Sequence, residues 1–85
     1  MNLWWYKLRK DYSRKEAKLV LICMREIIDR YGYATLSDFY DLVEHKLSTY
    51  LDTKTGWYSL KKSRVSLIRW NGAYWIGLPY SENIT

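Results

Sequence analysis

Asn71-Gly72 stands between two alternating runs, 64–70 and 73–78, and this dipeptide is the strongest short-range hairpin signal a sequence offers. A two-residue turn pairs Trp70 with Ala73, and that pairing sets the register of the whole hairpin. Val65 then opposes Leu78, Leu67 opposes Ile76 and Arg69 opposes Tyr74, all on one face. The other face carries Ser66, Ile68, Trp70, Ala73, Trp75 and Gly77. The first face reads as core. The second is unusually aromatic for a face turned to water. Pro79 ends the second strand, because it has no N–H to give to a ladder.

Upstream, Ser13-Arg14-Lys15-Glu16 is a capping box, with Ser13 as the cap and Glu16 reaching back. Ala17, Val20, Leu21, Met24, Ile27, Ile28 and Tyr31 follow at the spacing of one buried helical stripe. Gly32 sits where a helix commonly ends in a left-handed residue. Tyr33-Ala34 reads as a short extended link. Thr35 and Asp38 form a second box, opening a helix whose buried side is Phe39, Leu42, Val43 and Leu47. That helix stops near His45 or continues to Leu51. Residues 52–56 read as a turn, and 57–62 as either an extended piece or a single helical turn. Residues 1–12 show neither period and read as an aromatic and basic arm.

The expected fold is α+β: two helices packed on a small antiparallel C-terminal hairpin sheet, winged-helix-like, with the third helix shortened or missing. The expected organisation is an arm at 1–12, a single domain at 13–80 and a tail at 81–85. A chain of 85 residues has room for one core. Leu21, Ile28, Val43, Leu67 and Ile76 are expected deep within it.

Cys23 has no internal partner, and a small secreted domain would normally be stapled by disulfides, so a reducing cytosol is expected. Leu3-Trp4-Trp5-Tyr6 is too short for a signal segment, and Leu19 to Met24 falls far short of a span, so no membrane partner is expected. The net charge of +5 is uneven. Residues 1–18 hold six basic and two acidic side chains, residues 19–53 three and six, and residues 54–85 five and one. The ends are basic and the middle is acidic.

The run Tyr31-Gly32-Tyr33-Ala34-Thr35-Leu36-Ser37-Asp38-Phe39-Tyr40-Asp41-Leu42-Val43 is followed by Gly56-Trp57, Leu60, Val65, Arg69, Asn71-Gly72-Ala73-Tyr74 and Leu78-Pro79. Over residues 20–79 this resembles a group of small phage and prophage proteins, mostly from Gram-positive hosts. The resemblance joins several spaced elements and implies a phage setting and an α-α-β-β build. It implies no mechanism, and residues 1–12 and the stretch between Val43 and Gly56 lie outside it.

No catalytic, metal or cofactor site is expected. His45 lies one helical turn from Asp41, but a base and its orienter also need a nucleophile or water and oxyanion donors, which no other residues supply. Asp38, Asp41 and Glu44 lack the glycine-bearing loop of hard-cation sites and read as a solvated helix face. Cys23 has no CxxC partner. Gly32, Gly56, Gly72 and Gly77 are too scattered to cradle phosphate.

With the phage setting that the resemblance implies, a noncatalytic accessory protein in the host cytoplasm is expected, docking on a host or phage macromolecule, a protein before others. An inhibitor of host defence or of a host enzyme is one form of it. Trp4, Trp5, Ile68, Trp70 and Trp75 are the candidate partner-binding residues, since aromatic anchors dominate interfaces. The alternative is a DNA-binding protein using arm and wing: Lys7, Arg9, Lys10, Arg14, Lys15 and Lys18, then Lys61, Lys62, Arg64 and Arg69. The acidic second helix argues against groove reading, which needs Arg, Lys, Asn or Gln at the bases. A homodimer through the Trp70/Trp75 face is compatible with either. Set against the DNA reading, the N-terminal rings could instead pack over the Ile68/Trp70/Trp75 face while the charges keep the molecule soluble.

Overall fold

The computed structural model describes residues 3–44 and 50–84. The chain runs β1 (Leu3–Lys7), α1 (Arg14–Tyr31), β2 (Ala34–Thr35), α2 (Leu36–Leu42), a 3-10 turn (Tyr50–Thr53), β3 (Thr55–Trp57), a second 3-10 turn (Lys62–Arg64), β4 (Ser66–Trp70), β5 (Ala73–Pro79) and β6 (Glu82–Asn83). Two small antiparallel sheets form, in the orders β1-β5-β4 and β2-β3-β6. The α+β class holds.

Both helices begin as their caps dictate. Ser13 Oγ accepts from Glu16 N–H at 3.1 Å while Glu16 accepts from Ser13 N–H at 3.0 Å. Thr35 and Asp38 repeat the exchange at 3.1 and 2.9 Å. α1 ends on Gly32, at φ +87°, as the sequence implies. α2 ends at Leu42, short of both expected limits; Leu47 and His45 lie outside the described residues. The hairpin register is the expected one: Trp70 faces Ala73, Arg69 faces Tyr74 and Leu67 faces Ile76. Asn71 and Gly72 take φ of 55° and 78°, the two positive values that a primed two-residue turn needs.

Four expectations are corrected. Residues 1–12 are not simply an arm: Leu3–Lys7 is a strand that pairs along β5, from Leu3 with Pro79 to Lys7 with Trp75, and the Leu8 N–H continues to the Tyr74 carbonyl at 2.9 Å. The hairpin is therefore two thirds of a sheet whose third strand comes from the other end of the sequence. The 52–56 turn contains the start of β3, and the 81–85 tail contains β6, which pairs with it. The second sheet also takes up β2, at the expected extended link after α1, which pairs with β3. Finally, the core is shifted. Leu21 and Ile76 are buried, but Ile28, Val43 and Leu67 are only half-buried.

The shift follows from lengths. α1 has 18 residues, about 27 Å at about 1.5 Å per residue. Its buried positions are Ala17, Val20, Leu21 and Met24, in its first three turns. Beyond Met24 it meets the small sheet, whose strands are two or three residues long, so Ile27 and Ile28 are half-covered and Tyr31 is open. Phe39, fully buried, is the hub: the rings of Tyr6, Tyr40 and Trp57 lie 4.9, 6.0 and 6.4 Å from it. Trp57 joins the sheets, donating its indole N–H to the Pro79 carbonyl at 2.7 Å.

Candidate functional site

Strand alternation divides the larger sheet into two faces. Tyr6, Ile76 and Leu67 form one cross-strand row on the inner face, and Ile76 and Leu78 join one buried cluster with α1 and Phe39. The outer face holds Leu3, Trp5 and Lys7 from β1, Ala73, Trp75 and Gly77 from β5, and Ser66, Ile68 and Trp70 from β4. Trp5, Ile68 and Trp70 stay 41%, 43% and 60% exposed there, and with half-buried Trp75 they line a shallow hollow of about 240 Å³.

Gly77 makes room for the Trp5 wall of that hollow. It faces Trp5 across the ladder, and a Cβ on it would come within 2.8 Å of the Trp5 ring and 3.0 Å of Leu3. Without a side chain there, the indole lies across β5. Trp75 and Trp70 set their rings edge to face at 6.0 Å, and the Trp75 indole N–H donates to the Trp70 carbonyl at 3.3 Å. The outer face is a fixed aromatic surface.

Four of the five expected partner-binding residues are thus brought together: Trp5, Ile68, Trp70 and Trp75. Trp4 is not. It points to the inner side of β1, at the sheet edge, where its ring meets Tyr80 at 5.2 Å. Period-two alternation separates Trp4 from Trp5 once β1 is a strand. An arm carries no such alternation, so the expectation of an arm leaves the two rings together. β1 does not lie over the Trp70/Trp75 face; it extends that face by one strand.

The expected basic residues are dispersed. Lys7 borders the outer face opposite Trp75. Arg9 is engaged, pairing with Glu44 at 2.8 Å and Asp11 at 3.3 Å and lying 5.3 Å from the Tyr12 ring. Lys10 and Lys15 are exposed around the start of α1, and Arg64 is exposed at the end of the second 3-10 turn. Arg69 lies 5.8 Å from the Tyr74 ring. Arg14 and Lys62 converge with Lys18 on a groove of about 350 Å³ between α1 and β4, floored by Leu21, Ile22, Val65 and Leu67. Arg25 completes this group, also donating to the Leu60 carbonyl at 2.8 Å. Arg25 stands in the acidic middle of the sequence, apart from both basic ends. Lys61 lines the adjoining hollow with Arg25 and Lys62.

Two of the three acidic side chains expected on the second helix have local roles. Asp38 caps its own helix and Glu44 pairs with Arg9. Among the described residues no three His, Cys, Asp or Glu side chains gather as a metal would need, and no helix is long and apolar enough to cross a membrane. Cys23 is a half-buried free thiol. Compared with family models, curated proteins and solved structures, the chain finds no match.

Proposed function

We propose that the chain is a noncatalytic binding module that docks on a protein through the outer face of its larger sheet. The observation that carries the reading is the open aromatic surface of Trp5, Ile68, Trp70 and Trp75, preset by Gly77 and the Trp70–Trp75 contact. Large apolar patches on small domains mark interaction sites, and Trp anchors dominate their energetics. The phage setting, the host cytoplasm and a role as inhibitor of host defence or a host enzyme rest on the resemblance of residues 20–79.

Retention of partners from nuclease-treated host lysate tests it, with the intact chain against Trp70→Ala and Ile68→Ser. Both side chains are exposed, and the Trp70 carbonyl that Trp75 uses survives substitution. A protein retained by the parent and lost from both variants supports the reading. Equal retention by all three overturns it, and a parent that sediments as a dimer while Trp70→Ala is monomeric assigns the face to a second copy.

One observation favours a second reading, a winged-helix-like DNA binder: the Arg14, Lys18, Arg25 and Lys62 cluster beside the hairpin. It needs no free arm. Backbone contact of this kind makes affinity fall steeply with salt for every sequence alike.

A further inference from the structure

Trp4 and Tyr80, exposed at the sheet edge, face a second aromatic group across a hollow of about 320 Å³. Its walls are Trp4 and Tyr6 from the inner face of β1, Leu36 and Tyr40 one turn apart on α2, and Tyr80 with Ser81 after β5. Three separate parts of the fold each contribute rings to one small space. The volume is at the low end for small-molecule pockets, about 300–1,000 Å³.

We propose that this hollow is an aromatic cage for a quaternary ammonium group. Ring faces carry the negative part of an aromatic quadrupole, and a cation within about 6 Å of several of them is held without hydrogen bonds. A methylated ammonium, which has fewer N–H groups to desolvate than a primary amine, suits such walls best. Among the described residues no lysine or arginine lines the hollow, although the chain carries a net charge of +5. The Asp52 carboxylate lies near enough to help hold the protons on both the Tyr6 and Tyr40 phenols, so it adds negative potential at that end of the hollow. Both phenols stay neutral at physiological pH, since burial pushes each above its usual range. Tyr6 is braced by Phe39 at 4.9 Å, and Trp4 and Tyr80 stand edge to face at 5.2 Å, so the walls are set before a ligand enters. The cage lies on the side of the sheet opposite the proposed docking surface and stands independently of it.

Nitrogen-15 NMR titration of the full chain with choline, and separately with N-acetyl-trimethyllysine amide, tests the cage. The neutral control is 3,3-dimethylbutan-1-ol, choline with carbon in place of nitrogen. Saturable shifts at Trp4, Tyr6, Tyr40 and Tyr80 with a millimolar or tighter Kd are expected from at least one cation, with the alcohol at least tenfold weaker. Tighter choline would identify a free or headgroup source, and tighter trimethyllysine a methylated protein side chain. Trp4→Ala and Tyr80→Ala, both at exposed positions, should each weaken binding by at least tenfold, while Trp70→Ala on the outer face leaves it unchanged. Equal binding of the alcohol, shifts centred on Trp70 and Trp75, or no saturable shift from either cation overturns the proposal.

Discussion

Ile76 and Ile28 carry the same side chain into different surroundings, and their difference tests where the core lies. Ile76 is wholly buried between the helices and the middle strand, whereas Ile28 sits on α1 beyond the reach of the larger sheet. Ile76→Ala should therefore cost about 2–5 kcal/mol and Ile28→Ala roughly half as much, since the cost follows the atoms and cavity actually buried. Equal midpoints in urea would place the core back along the full helical stripe. Tyr6 offers a pH handle on the same core. Burial, reinforced by Tyr40 and Asp52, raises its phenol from 10.0 to about 12. A folded pKa above the unfolded one means that the stabilising contribution is complete below pH 10 and is lost as pH rises through about 12. Stability should thus decline above about pH 10, and Tyr6→Phe should flatten that decline; an unchanged alkaline slope in Tyr6→Phe would assign it to other groups.

At the scale of elements, β1 decides between an arm and a strand. Deleting residues 1–7 of an arm would leave melting unchanged, but here it strips one side of β5 and removes Tyr6 from Phe39. A loss of about 3 kcal/mol or more is expected, which lowers Tm by roughly 12 °C or more in a domain of this size. A truncated chain melting with the parent would contradict the β1–β5 ladder. The elements that were legible in the sequence share one property: each carries its own local signal. The Ser13 and Thr35 boxes, Gly32 and the Asn71-Gly72 turn act through neighbours within a few residues, so both helix starts and the hairpin register could be read directly. β1 has no such signal. With Trp4, Trp5 and Tyr6 in succession, both its faces are aromatic and no polar alternation shows. The strands of the small sheet are too short for any period and exist through pairing with distant segments. For the same reason the outer face was half legible: Ile68, Trp70 and Trp75 follow from the turn, while Trp5 joins them and Trp4 leaves only once β1 is placed. The basic groove was not legible, because Arg14 and Lys62, 48 residues apart, come to one groove only in the folded chain.

Across the whole molecule, two sheets of unequal strength share one core, and one buried side chain, Trp57, adds a hydrogen bond between them. β5 is flanked on both sides and backed by the core, so its amides should open only with the whole fold. The sheet of β2, β3 and β6 has few ladder bonds of its own and depends on Trp57, which is 3% exposed and reaches the Pro79 carbonyl across the gap. Local openings of that kind have their own, smaller free energies. Trp57→Phe keeps an aromatic ring among the core side chains yet removes the indole N–H, leaving the carbonyl of buried Pro79 without that donor. The expected cost is about 1–3 kcal/mol. Hydrogen exchange resolves how it is distributed: protection should fall first and furthest in β2 and β3, while β5 keeps exchanging at the rate set by global stability. Should β3 and β5 instead lose protection by the same factor in Trp57→Phe, having matched in the parent, the molecule opens as one cooperative unit. The indole would then hold together a single core that both sheets share equally.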